Sequence, residues 1–311
     1  MGVSEAEPLI RSARPAAPAA VGSPDPRSLT VDVLIAVYNA APFLREMFDS
    51  VRAQTVKPTR ILVLDDGSTD GSAEILAHEP GIELMHHPGR ENLGQSATLR
   101  ALLAASTSSY VAIIDADDLW YPTKLETHLT HMAKDPGIAL TYCDGWVVDA
   151  AGQRLWPLLP ERHVEPNDVN ALLMNCYIRT PTSVVVRRDV MVAADGLRPG
   201  LIPCDHDLWL RIAEKHPLVH LPDKLCDYRT HPAQVSGGNR RMWEHTQRVL
   251  VDAWRRHPYR LSSVRKRWAV ISYRLGKIDL GKGNRVRGLA LLARAALLDP
   301  PRALRTFVAG D

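Results

Sequence analysis

Apolar residues in the first half of the chain fall into short, almost unbroken runs, separated by stretches in which they recur at helical spacing. Val31–Val37 (VDVLIAV) and Arg60–Asp65 (RILVLD) are the clearest runs. Runs of this length and density predict strands covered on both faces. Between them Pro42 sits where a first helical turn would begin, and Leu44, Met47, Phe48 and Val51 mark one helical face. The pattern repeats, with strands predicted at residues 82–86 and 110–115 and helices at 94–105 and 122–133. Such alternation predicts an α/β fold whose doubly wound, largely parallel sheet has helices on both faces.

From residue 138 the rhythm changes. Residues 138–143 (IALTYC) and 183–188 (SVVVRR) read as strands on either side of a Pro-rich, weakly periodic stretch. Helices are predicted at 168–174 and 206–214, where Leu208, Trp209 and Ile212 form a core face. Beyond Arg240 everything reads as helix. Val264, Trp268, Ile271 and Leu275 form one apolar stripe, and Val286, Leu289 and Leu292 begin another. Residues 1–29 hold five prolines and no periodic pattern, and lack the apolar core of a signal peptide, so a disordered tail is expected. The divisions are therefore a tail (1–29), a main domain (30–239) and a helical C-terminal appendage (240–311).

Charge sharpens that division. The net charge of +3 over 311 residues conceals 17 Lys/Arg against 5 Asp/Glu in residues 240–311, and 21 against 30 in the rest. The basic helices are expected to pack on the main domain or pair two copies in a homodimer, with contact to an anionic membrane surface as an addition. No apolar run approaches the ~20 residues of a membrane span, so a cytoplasmic protein is expected, peripheral at most at the inner face of the membrane. No nucleic-acid partner is expected. Cys143, Cys176, Cys204 and Cys226 lie far apart without a C-x-x-C pair, which reads as free thiols.

In open α/β sheets ligands bind beyond the carboxyl ends of the strands. Those ends carry Tyr38-Asn39, then Asp65-Asp66-Gly67-Ser68-Thr69-Asp70, then Asp115-Ala116-Asp117-Asp118. Neither G-x-G-x-x-G after the first strand nor G-x-x-x-x-G-K-[ST] occurs, so phosphates are not held by a glycine cradle. In extended chain Asp115 and Asp117 point the same way, and paired carboxylates favour a hard divalent cation such as Mn²⁺ or Mg²⁺. The structural alternative is a solvated loop capping the helix after Pro122. Ser68, Thr69 or Asp70 can likewise cap a helix near Gly71, which leaves Asp65 and Asp66 free to accept a base N–H. His86 and His87 read as exposed loop residues.

Taken in order, VLIAVYNAAPFLREMFDSVRAQT, VLDDGSTDGS, ENLGQSATLR, YVAIIDADD, CDHDLWLRIAEK and YRTHPAQVS resemble the family 2 glycosyltransferases of GT-A fold over roughly residues 31–238. The resemblance divides the main domain into a nucleotide-binding half (30–120) and an acceptor half (121–239). It implies an inverting, metal-dependent transfer of a sugar from a nucleotide-sugar donor, a UDP-sugar by expectation, to an acceptor hydroxyl of a saccharide or lipid-linked saccharide. Polysaccharide or glycolipid synthesis would be the setting. It also implies that Val37 and Tyr38 line the base pocket with Asp65 and Asp66, and that Gly94, Asp115 and Ala116 border the donor. Asp117 would ligate the metal, His231 would add a metal or phosphate contact, and Asp205 would be the catalytic base.

Two positions depart from the family pattern: Ala36 stands for a proline, and Cys204 replaces the glutamate of a Glu-Asp pair, which leaves Asp207 as a competitor of Asp205. Two other readings stand beside this one. A transferase-like domain could serve as a binding or scaffold module. Asp65-Asp66-Gly67-Ser68-Thr69 also resembles a haloacid-dehalogenase phosphatase loop, which would need an Asp where Leu64 stands.

Overall fold

The computed structural model describes residues 25–201, 204–231 and 240–309. Of the expected tail, residues 1–24 lie outside the described residues, and Pro26–Ser28 makes one 3-10 turn capped by Asp25. The first half is β1 (Val31–Val37), α1 (Leu44–Arg52), β2 (Arg60–Asp65), α2 (Ser72–His78), β3 (Glu83–His86), α3 (Gln95–Ala105) and β4 (Tyr110–Ile113). Then come β5 (Leu119–Trp120), α4 (Lys124–Lys134), β6 (Leu140–Val148), β7 (Arg154–Pro157), α5 (Val169–Met174), β8 (Val184–Arg187), α6 (Arg188–Ala193), α7 (Cys204–Ala213) and β9 (Leu218–Arg229). The C-terminal helices are α8 (Arg240–Arg256), α9 (Leu261–Gly281), α10 (Arg285–Leu298) and α11 (Pro300–Ala309).

One sheet runs β3-β2-β1-β4-β8-β6-β9-β5, with β7 on β6. The first four strands are parallel, as their unbroken apolar runs predict. The second half is mixed: β8 is antiparallel to β4 and β6, whereas β6 and β9 are parallel. Alternation along β1 divides the core. Val31, Val33, Ile35 and Val37 pack with α1 and α4, while Leu34 packs on the other face with α3, α5 and α7.

The sequence pattern did not announce β9. Pro222 interrupts it, and its pairing with β6 slips around Asp144. Gly145 makes the close approach feasible, since an added Cβ would lie 2.2 Å from the Cys226 carbonyl oxygen. This pairing aims the end of β9 at the acidic loop after β4.

The C-terminal helices join the main core. Val264, Ile271 and Leu275 of α9 are buried with α5, α7 and α8, and Trp268 packs partly against them. The second expected stripe is corrected. Val286 and Leu289 are exposed, and α10 meets α9 through Gly288, Leu292 and Ala295 instead. An added Cβ at Gly288 would lie 2.7 Å from Leu280 Cδ2 and 3.1 Å from the Gly276 carbonyl oxygen. Backbone approach at two glycines therefore selects the packed face, where a search for large apolar residues points to the wrong one. Among the described residues no helix is long and apolar enough to cross a membrane.

Candidate active site

The carboxyl ends of β1, β2 and β4 carry the acidic loops to one edge of the sheet. After β1, Val37 is buried and Tyr38 is exposed. Asn39 takes a positive φ of 51°, and its side-chain oxygen accepts the Thr69 N–H at 2.7 Å. Against the upward push of burial, the Ser72 hydroxyl at 2.6 Å and the N–H groups of Ala41 and Ser72, each at 3.0 Å, hold the Asp70 carboxyl below the ordinary range. Ser68, Asp70 and Ser72 thus staple the first two loops together.

Asp65 and Asp66 are both buried but differently occupied. Both oxygens of Asp66 are taken, by the Leu93 N–H at 2.8 Å and the Gly94 N–H at 2.9 Å. Asp66 thereby fixes the turn that starts α3, where Gly94 has a φ of 85°. Among the described residues Asp65 accepts one hydrogen bond, from the Ser68 N–H at 3.1 Å, with His86 Nδ1 at 3.9 Å. The histidines correct the expectation of exposed loop residues. His87 is buried, with Nε2 3.0 Å from Thr98 Oγ1, and His86 is half-buried.

The loop after β4 concentrates charge. Asp115 accepts from Gln95 Nε2 at 2.8 Å and from Thr180 Oγ1 at 3.4 Å, and its own N–H donates to Thr182 Oγ1 at 3.0 Å. Burial, then the charges of Asp117 and Asp205, push its carboxyl up to about 7. Ala116 is buried beside it. Asp118 is buried completely and accepts from Thr182 Oγ1 (2.5 Å) and the Arg229 N–H (2.8 Å). Burial, with Asp117 and Asp115 nearby, also raises Asp118. Its bonds tie β9 and the segment before β8 to the acidic loop. Gln95, Thr180, Thr182 and Arg229 were not singled out from sequence; Gln95 lies in the ENLGQ segment and Arg229 in the YRTHP segment, while the threonines carried no local signal.

Asp117 reaches out of this scaffold. Its carboxylate lies 2.9 Å from His231 Nε2, and its backbone carbonyl accepts from Arg229 Nε at 2.8 Å. The His231 ring packs on Phe43, centroids 5.1 Å apart. The rest of the expected YRTHPAQVS segment, residues 232–236, lies outside the described residues. Among the described residues no three His, Cys, Asp or Glu side chains form a set that could hold a metal unaided. A carboxylate beside an imidazole still suits Mn²⁺ or Mg²⁺, which commonly take only one or two protein ligands and complete their shell with diphosphate oxygens and water.

At the start of α7, Asp205 and Asp207 separate cleanly. Asp207 is fully buried and ion-paired with Arg198 and with Arg211, whose Nε and Nη2 lie at 2.9 and 2.7 Å. Among the described residues Asp205 has no such cation, and burial raises its carboxyl to about 6 against the stabilising N–H groups of the helix start. It lies near enough to raise Asp115 in turn. Beyond it is the expected acceptor side. Arg267 of α9 donates to the Met174 carbonyl at 3.0 Å, bringing the C-terminal appendage to the end of α5. A cavity of about 290 Å³ lined by Glu165, Tyr177 and His216 lies at the opposite end of α7 and shares no residue with the acidic site.

Known proteins resemble this chain in sequence and in fold. The glycosyltransferase AmsE of amylovoran biosynthesis from Erwinia amylovora is 28% identical over 218 residues, covering 68% of this chain and 80% of that protein. An uncharacterized protein of Mycobacterium tuberculosis is 27% identical over 285 residues, covering 85% of this chain and 79% of its own length. Among solved structures, S. aureus TarS 1-349 in complex with UDP-GlcNAc superposes with a TM-score of 0.65 at 14% identity, covering 88% of this chain and 83% of that one. The mannosyltransferase PcManGT from Pyrobaculum calidifontis, in complex with GDP-Man and Mn²⁺, gives 0.61 at 19% identity, covering 92% and 81%. These likenesses carry the GT-A fold. The model of "Glycosyl transferase family 2" matches residues 32–192, more than half of the chain, and with these motifs on this sheet edge the chain belongs to that family of glycosyltransferases.

Proposed function

We propose that the chain transfers a sugar, with inversion, from a nucleoside-diphosphate donor of UDP-sugar type to an acceptor hydroxyl, with Mn²⁺ or Mg²⁺ as cofactor. The observation that carries this reading is the meeting of Asp115, Asp117 and Asp205 at one edge, with Asp205 unpaired by any Arg or Lys among the described residues and poised at about 6. The nucleotide-sugars bound to TarS and PcManGT, and the Mn²⁺ in the latter, support the donor and the metal.

Val37, Tyr38 and Asp65 receive the base, with Asp65 as acceptor of a base N–H; Asp66 acts by holding Gly94 and the start of α3. Asp115, oriented by Gln95 and Thr180, and Ala116 border the ribose or sugar. Asp117 and His231 would hold the cation, which when bound neutralises charge on the departing diphosphate. At neutral pH Asp205 is ionised, takes the proton of the acceptor hydroxyl and so makes that oxygen the nucleophile. Attack opposite the leaving group converts an α-linked donor into a β-linked product. The acceptor, a saccharide or lipid-linked saccharide, approaches past the end of α5.

Calorimetric titration of UDP and GDP into the full chain, with Mn²⁺ and with chelator, tests this reading. Mn²⁺-dependent binding that favours UDP and is weakened in Asp117→Ala is expected. Equal affinity after chelation would remove the metal role, and no binding of either nucleotide would overturn the donor reading.

A further inference from the structure

The outer face of α10 is apolar and uncovered. Val286 is 86% exposed, Leu289 60% and Leu297 81%, and Leu304 of the following α11 is 67% exposed. At 3.6 residues per turn Val286, Leu289, Ala290, Ala293 and Leu297 fall within roughly 100° of arc. Gly288 and Ala295 face the other way, against α9. Arg285 borders the stripe on one side, and Arg287 (3.4 Å from Asp279, yet 66% exposed) and Arg294, over the Trp268 ring, border it on the other. The helix thus has two apolar faces, and the fold uses one.

We propose that this face docks on an anionic lipid bilayer, with the leucines and Val286 in the headgroup boundary and the flanking arginines on lipid phosphates. An apolar stripe bordered by arginines is the arrangement of helices that lie in a membrane interface. Charge selects this occupant over a second copy of the chain. Residues 282–309 carry six Lys/Arg and a single acidic residue, the buried Asp299. Two copies joined through this face would set arginine against arginine, whereas an anionic surface neutralises them. The neighbouring α9 reaches Met174 through Arg267, so the docked helix lies one helix from the side on which the acceptor is proposed to enter. The docking itself needs no donor or acceptor and stands apart from the transferase reading.

Flotation of the full chain with phosphatidylcholine vesicles, with and without phosphatidylglycerol, at low and high salt, tests the proposal. Binding is expected only to the anionic vesicles, weakened by salt, and reduced about tenfold or more in the double variant Leu289→Gln/Leu297→Gln. Both leucines are exposed, so the variant should melt with the wild type and bind nucleotide equally. Absence of binding to anionic vesicles overturns the proposal, as does binding unchanged in the double variant. A wild-type dimer that the double variant dissociates would assign the face to self-association and overturn it equally.

Discussion

Replacing Asp205 by Asn should make the free protein more stable while sharply slowing transfer. A carboxyl that titrates at about 6 in the folded chain and near 3.8 when exposed resists ionisation in place. Between those values the folded state binds more protons than the unfolded state, so stability falls as pH rises from about 4 to about 6 and stays lowered above. The difference amounts to about 3 kcal/mol at pH 8. Asn keeps the shape and the acceptor oxygen at the helix start but has no charge to bury. For a chain of this size the variant should melt roughly 5 °C higher than wild type at pH 8 and together with it at pH 4. Sugar transfer at saturating donor should fall by about 10²–10⁴-fold. The assay is thermal unfolding of both proteins across that pH range, beside initial rates. A variant no more stable at pH 8, or a gain that persists undiminished at pH 4, would refute the argument that burial of this charge sets its proton affinity.

Asp207→Asn, two residues away, should act in the opposite sense. It leaves Arg198 and Arg211 without their shared partner and should cost about 3–5 kcal/mol in urea unfolding, with the remaining folded protein still catalysing transfer. If this variant were stable and inactive, the roles assigned to the two aspartates would be exchanged. Gly145→Ala would push a methyl into the Cys226 carbonyl and should cost about 3 kcal/mol or abolish the fold, since backbone must move; an unchanged melting temperature would contradict the β6–β9 register.

Much of the site was legible because its chemistry follows strand ends. Once VDVLIAV, RILVLD and YVAIID read as parallel strands, Asp65, Asp115 and Asp117 had to gather at one edge, since parallel strands present their carboxyl ends together. Asp205 came from resemblance alone, and the sequence left Asp207 in contention. The tertiary structure sets them apart by the company each keeps, and the base role proposed for Asp205 rests on that difference. Arg198 claims Asp207, whereas Asp205 meets no such cation among the described residues. Asp66 tells the same story: its sequence neighbours say acidic, and only the returning turn at Leu93 and Gly94 shows its oxygens already taken. Helical periodicity likewise located both apolar faces of the C-terminal segment without telling which would be covered. Periodicity reports a residue's angle about its own axis; the neighbour that fills that angle, here a glycine contact between α9 and α10, exists only after the chain has folded.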